Sequence, residues 1–357
     1  MEVMPRSPFL RDLVRIQPSR GEWTVAVRAA LSVLVPLLVL FASGRLEWAM
    51  YASFGALASI FGRTVPLPQR LRAQTEAGAS IIAAILLGVA ISIPAGRSWI
   101  LIPAAAVYAT GMAVLAHRRN WHPPGVVFQV FALGGCASTP HAAGDLVPAL
   151  LVSACTLAFC LALTYLTSLA RHLWRRHVAR VSHTWPRRPA SPGTLPGEGP
   201  EWPLRHYLVR YGVGVLLAGG LATLSGIGHP YWAIVSAVVP MAAASAAGRT
   251  LRGVQRVVGT LLGVLVTGAV LAFDPSPLAL IAIVTAMQIG AELFVGRNYG
   301  VAMLFITPLA LCMVQLGHPL PVAQLVGDRA LETVLGVAVA LVITLVTRER
   351  RQRGDAD

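Results

Sequence analysis

Twelve apolar stretches, separated by polar turns and one longer polar segment, run through the chain from residue 24 to residue 347. Hydrocarbon offers no partner to a backbone N–H or C=O group, so a chain of this kind crosses the bilayer as helices that satisfy their own backbone. A crossing takes about 20 mostly apolar residues, and fewer where a short or broken helix packs inside protein. The first six stretches lie at 24–43, 47–62, 73–93, 98–116, 122–138 and 145–169. The second six lie at 206–226, 230–247, 254–273, 277–295, 299–316 and 327–347. The expected fold is an all-α polytopic membrane protein of about twelve transmembrane helices. The second and fifth stretch of each six are the shortest and the least sharply bounded.

Composition agrees with a membrane class. Hydrophobic residues make up 55% of the 357-residue chain and charged residues only 12%, too little polar surface to coat a soluble globule of this size. The formal net charge of +14 does not indicate nucleic acid as a partner, because the arginines are scattered over short loops instead of lining one soluble face. With the N-terminus inside, one side of the membrane receives Arg6, Arg11, Arg15, Arg20, Arg63, Arg70, Arg72, Arg118 and Arg119 from the first half. It also receives the run from Arg171 to Arg188, then Arg249, Arg252, Arg256, Arg297 and the tail from Arg348 to Arg353. The other side receives only Arg45, Arg97 and Arg329. Such asymmetry is the mark of cytoplasmic loops, and a missed helix would invert everything after it. Both termini are therefore expected in the cytoplasm, with the lipid bilayer of the plasma membrane as surroundings.

Five regions follow from this layout. Residues 1–23 form a cytoplasmic segment in which Pro8 to Ile16 suits either a short interfacial helix or an ordinary charged flank. Residues 24–170 and 204–347 form two six-helix membrane repeats, joined by a flexible Arg/Pro/Gly-rich linker over 171–203, and 348–357 is a cytoplasmic tail. The first apolar run is too long for the core of a signal peptide and a second follows at once, so it is expected to remain as a helix. Cys136, Cys155, Cys160 and Cys312 all lie in apolar stretches without metal-ligand spacing and read as small core residues.

The two halves echo each other. Arg63-Thr64 and Gln69-Arg70 recur, after the same four-residue spacer, as Arg249-Thr250 and Gln255-Arg256. Glu47-Trp48-Ala49 corresponds to Tyr231-Trp232-Ala233, Arg28 to Arg210, and Arg119-Asn120-Trp121 to Arg297-Asn298-Tyr299. Four matches in one order indicate a duplication. An even number of spans in each half makes the repeats parallel, related by an axis along the membrane normal.

The second half carries sharper motifs: Pro230-Tyr231-Trp232-Ala233, Arg256-x-x-Gly259-Thr260-x-x-Gly263, Arg297-Asn298-Tyr299 followed by Phe305-Ile306-Thr307-Pro308-Leu309, and Arg329-x-x-x-Thr333-x-x-Gly336. Together they resemble the fusaric acid resistance family, also called the aromatic acid exporter family, whose members are assigned to efflux of aromatic carboxylic acids. The resemblance is sharp over about 205–347. The first half departs from it, with Ala73, Gln74 and Ala77 in place of the Gly-Thr-x-x-Gly and Gln129 where the second half has Thr307.

The resemblance implies export of a small organic anion, which needs a cationic entrance, a partly polar mid-membrane site and an ionisable coupling group. Arg63, Arg70, Arg249 and Arg256 stand as two matched pairs at the expected inner mouth, where a guanidinium can hold a carboxylate; the positive-inside rule alone would also put arginines there. Gln129 and Thr307-Pro308 occupy matching points of two interrupted spans, the usual sequence signature of a transport site, or else of a packing kink. Trp232 and Asn298, from the matched motifs, complete the expected pathway. Glu332 and Glu76, with Asp328 one turn before Glu332, are the candidates for proton coupling, while Glu292 is expected to form a structural pair such as one with Arg297 and Arg28 to pair with a neighbouring helix. Gly259, Gly263 and the small residues from Ala242 to Gly248 read as close helix packing. No nucleotide loop, metal cluster or nucleophile with a base stands out, so neither an enzyme nor a cofactor is expected. Three functions fit: proton-coupled efflux, a passive organic-anion channel, and a non-transporting membrane scaffold. Assembly as a homo-oligomer is left open.

Overall fold

The structure, a computed structural model, describes residues 8–18, 23–123, 126–181, 204–243 and 245–347. Fourteen α-helices follow in order: α1 (Pro8–Val14), α2 (Trp23–Ala42), α3 (Ala49–Ala56), α4 (Leu67–Ser92), α5 (Arg97–Arg118), α6 (Val127–Ser138) and α7 (Leu146–Val181), then α8 (Leu204–Tyr207), α9 (Gly214–Leu224), α10 (Tyr231–Met241), α11 (Ala246–Leu271), α12 (Pro277–Phe294), α13 (Tyr299–Gly317) and α14 (Val322–Val346). No strand occurs among the described residues. A six-residue π-helical segment, Leu208–Val213, joins α8 to α9.

Nine helical segments among the described residues are long and apolar enough to cross a membrane, including Ala143–Trp174 and Arg205–Leu224. The chain is a multi-pass membrane protein. Three of the twelve expected stretches form only short helices. The stretch 47–62 holds α3 flanked by 3-10 turns at Leu46–Trp48 and Leu57–Ile60. In 122–138 the helix starts only at Val127, after the His122-Pro123-Pro124-Gly125 run, and in 230–247 it ends at Met241, directly after Pro240. At 1.5 Å per residue, the 12 residues of α6 reach about 18 Å, well short of a hydrocarbon core of about 30 Å. Helices this short sit inside protein: every residue of α10 is buried. The stretch at 299–316, paired in sequence with 122–138, instead forms a full-length helix of 19 residues.

Several helices begin earlier than the hydropathy suggests. Ser245 caps α11, its hydroxyl accepting from the Gly248 N–H at 3.0 Å, so Arg249, Arg252 and Arg256 lie on the helix. Val322 opens α14, which puts Arg329 two turns inside it. At the other extreme α7 continues to Val181, through the first third of the expected linker; residues 182–203 and the tail 348–357 lie outside the described residues.

Small residues let the helices approach closely. A Cβ on Gly263 would stand 2.7 Å from the Thr307 Cβ and 2.8 Å from the Met303 carbonyl oxygen, and Gly259 faces Gly300 and Met303 in the same α11–α13 contact. Gly336 of α14 packs on the Ala233 carbonyl of α10, and Gly88 of α4 on Leu133 and Cys136 of α6. Contacts between α2 and α12, α5 and α9, α6 and α10, and α3 and α13 join the first half of the chain to the second. Large apolar side chains such as Val107, Leu265 and Val342 are exposed and suit a lipid-facing surface. Cys136, Cys160 and Cys312 are buried as expected, whereas Cys155 is exposed.

Gly263→Val is expected to lower stability by about 1–3 kcal/mol through overpacking of the α11–α13 seam. Gly111→Ala, whose Cβ would meet nothing within 4 Å, is expected to leave it unchanged or raise it. Unfolding midpoints in detergent check both.

Candidate functional site

A cavity of about 430 Å³ lies between helices from both halves. Its walls come from α2, α3 and α6 on one side and α10 to α14 on the other, and they are predominantly apolar. Among the described residues four arginines reach it, Arg63, Arg252, Arg256 and Arg329, against a single carboxylate, Glu292. The Arg63 Nη2 atom pairs with Glu292 Oε2 at 2.6 Å, joining the turn after α3 to α12. The other oxygen of Glu292 accepts from Gln288 Nε2 at 3.3 Å. The three remaining arginines form no ion pair among the described residues.

Those three are held by neutral groups. Arg256 donates to Ser236 Oγ at 3.1 Å and to the Tyr299 hydroxyl at 2.8 Å. The guanidinium of Arg252 sits 5.5 Å from the Tyr299 ring. Arg329, only 2% exposed, lies 3.9 Å from the ring centroid of Trp232, a distance at which the ring face attracts the cation. Its Nε and Nη1, like Nε1 of Trp232, have no acceptor among the described residues. Around Trp232 the rings of Tyr231, stacked at 4.6 Å, and Phe131, at 5.4 Å, complete an aromatic wall from α10 and α6.

The residues singled out from sequence divide accordingly. Arg63, Arg256 and Trp232 line the cavity. Arg70 does not: it donates to the carbonyls of Gly62, Arg63 and Val65 at 2.9, 3.2 and 3.1 Å, stapling the turn that Gly62 opens at φ +70°. Arg249 is buried and donates to the Ala243 carbonyl at 3.3 Å. One arginine of each matched pair thus reaches the cavity, and the two come from opposite ends of the Arg-Thr to Gln-Arg motif. Gln129 faces α4 instead, donating to Ser80 Oγ at 3.2 Å. Thr307 and Pro308 are buried off the cavity wall, Thr307 against Gly263. Asn298 caps α13, accepting from the Val301 N–H at 3.1 Å, and donates to the carbonyls of Leu13 and Arg15 at 2.9 and 3.1 Å. It fixes the segment after α1 against the start of α13.

The acids also separate. Glu76 is partly exposed and held by Arg72 at 2.9 Å and Arg119 at 3.0 Å, a surface clamp between α4 and the end of α5. Glu332 is fully buried, and its Oε1 accepts from the His229 N–H at 2.8 Å while Oε2 has no partner among the described residues. Asp328 meets Nδ1 of the same histidine at 2.9 Å. Glu292 pairs with Arg63 and not Arg297, which instead donates to the Gln17 carbonyl at 2.7 Å. Arg28 is buried, and none of its three guanidinium nitrogens has a hydrogen-bond partner among the described residues.

Arg329 opens one of the quoted motifs, but the boundary at 327 places it at the membrane edge, where an arginine gives no signal of a site. The Arg63–Glu292 pair had no local signal at all, since its partners are separated by most of the chain.

The model of the fusaric acid resistance protein-like family matches residues 217–343, within the second half of the chain. This fusaric acid resistance-like segment runs from α9 into α14 and supplies Trp232, Arg252, Arg256, Glu292 and Arg329; Arg63 and the α2, α3 and α6 walls lie outside it. A 110-residue stretch is 31% identical to a protein of Bacillus subtilis (strain 168) named as the uncharacterized membrane protein YvaC. The stretch covers 31% of this chain and 17% of that relative, so the similarity spans a small part of the relative's length. No solved structure matches the chain.

At one end of the bundle, α13 leads past Met313 and Val314 to His318, whose ring lies 6.4 Å from that of His141 in the loop after α6. His141 also contacts Ser92 Oγ at 2.9 Å and the Tyr51 ring at 5.9 Å. Burial holds both imidazoles below their ordinary value; Asp145 opposes this at both, Glu47 opposes it at His318, and Arg97 adds to it at His141. Because the folded pKa values are depressed, the contribution to stability is complete above the ordinary imidazole value of about 6.5 and is lost as pH falls through the folded values. Thermal midpoints are expected to drop as pH falls below about 6.5. The double variant His141→Gln, His318→Gln should show a flatter profile over that range.

Proposed function

We propose that the protein is a secondary transporter that exports small organic anions, with aromatic carboxylic acids as the substrate class. The observation that carries this reading is a largely apolar, aromatic-walled cavity between helices of both halves, lined by four guanidinium groups of which three, Arg252, Arg256 and Arg329, have no carboxylate among the described residues. A cavity of this volume falls in the range of about 300–1,000 Å³ that small-molecule sites occupy. Short, interrupted helices around such a cavity are a recurring construction in transporters, because irregular backbone is tolerated only where protein or water surrounds it. The match of residues 217–343 to the fusaric acid resistance protein-like family points the same way.

On this reading α3, α6 and α10 count as crossing elements with the nine long segments, giving twelve in two parallel repeats with cytoplasmic termini in the plasma membrane. The end of the cavity carrying Arg63 and Arg252 then faces the cytoplasm and draws anions in. Glu332, with Asp328 and His229 beside it, is the proton site: a buried carboxyl one turn from the Arg329 guanidinium senses the charge that a substrate brings.

Purified protein in liposomes under an imposed pH gradient tests this with a panel of aromatic acids. Uphill movement of an acid is expected, and Glu332→Gln should abolish the uphill component. Downhill movement indifferent to the gradient would instead make the protein a passive channel, and absence of movement across the panel would make it a scaffold.

A further inference from the structure

Within the cavity, one wall has an arrangement that none of the matched motifs or similarities assigns. Arg329 and Trp232 present buried donors with no acceptor: Nε and Nη1 of the guanidinium and Nε1 of the indole. A buried donor left unmade is costly, and a buried cation without a counter-ion is costlier. The stack on Trp232 returns part of that for the cation, and nothing for the three N–H groups. Glu332, three residues further along α14, makes no ion pair with Arg329 and directs one oxygen to the His229 N–H. Arg256 is also without a carboxylate, its guanidinium resting on Ser236 and Tyr299.

We propose that Arg329 and the Trp232 N–H form a binding site for the carboxylate of a small monoanion, whose planar apolar body lies against Phe131, Tyr231 and Trp232. The ligand has to accept hydrogen bonds, because all three unpartnered atoms are donors. It has to be anionic, because the four lining arginines face one glutamate, leaving three positive charges in excess. A planar carboxylate suits a guanidinium better than a spherical anion does, since the two can make parallel bonds. Inorganic phosphate needs polar surroundings that an aromatic wall does not provide, and chloride makes no use of the rings. The assignment rests on the cavity being the substrate path of the proposed function, and deepens it by naming the atoms that select the substrate.

Calorimetric titration of the purified full chain in detergent tests it, with benzoate as probe, benzyl alcohol as its uncharged analogue and chloride as competitor. Benzoate is expected to bind at least about ten-fold more tightly than benzyl alcohol. Arg329→Gln should remove that preference, and Trp232→Phe, which keeps a ring but loses the donor, should reduce it less. Arg45→Gln, at an exposed ion pair with Glu47, should leave it intact. Should Arg329→Gln fail to fold, Trp232→Phe and the chloride competition still decide the matter. Equal binding of benzoate and benzyl alcohol, displacement of benzoate by equimolar chloride, or an unchanged preference in Trp232→Phe and folded Arg329→Gln would each overturn the site. Binding and transport are read separately: selective binding without flux would sink the transporter and keep the site, whereas coupled flux unaffected by Arg329→Gln would do the reverse.

Discussion

Positive charge removed from water and given no negative partner governs this molecule more than any other interaction. Arg256 and Arg329 are both at least 97% buried, in surroundings where an isolated charge costs several kcal/mol even after relaxation. Neutral groups hold them, a serine and a tyrosine hydroxyl for one and an indole face for the other. Those supports come from α10 and α13, so the position of each arginine depends on the short helix α10 standing where it does. That helix is buried on every side and is fixed by Gly336, which lets α14 lie directly on its backbone.

The same constraint connects the halves. Glu292 on α12 is the one carboxylate on the cavity wall among the described residues, and it is taken by Arg63, which belongs to the turn after α3. Arg70 staples that turn by its carbonyls, and so sets where Arg63 can reach. An arginine with no part in the cavity thus controls one that lines it. At the start of α13, Asn298 and Arg297 in turn hold the segment that follows α1.

Much of the architecture was legible from hydropathy and charge, because lipid permits little besides helices. All twelve apolar stretches contain helix, and three of the four weakly bounded stretches, 47–62, 122–138 and 230–247, hold short buried helices, whereas the fourth, 299–316, holds a long one. Helix starts were less legible: a capping serine at 245 and a proline at 321 extend α11 and α14 through residues that hydropathy assigns to loops. For the site, the pairing of motifs singled out Arg63, Arg256 and Trp232, which line the cavity. It could not tell that Arg70 and Arg249 turn to carbonyl oxygens, or that Gln129 and Thr307 face neighbouring helices, since the lipid-facing and protein-facing sides of a membrane helix are both apolar. Arg329 was hidden by its boundary, and Glu292 by the sequence distance to its partner.

The central claim is that a water-reachable, anion-selective cavity lies between the two halves. Thiol labelling of single cysteines tests it most directly, in a chain with Cys136, Cys155, Cys160 and Cys312 replaced. Val235→Cys on α10 and Ala310→Cys on α13, both lining the cavity, are compared with the exposed position Leu265→Cys in a lipid bilayer. A water-borne anionic thiol reagent is expected to modify the first two and not the third, and an aromatic carboxylate to slow the modification. Unreactive thiols at 235 and 310, or reaction rates that the carboxylate does not change, would contradict it.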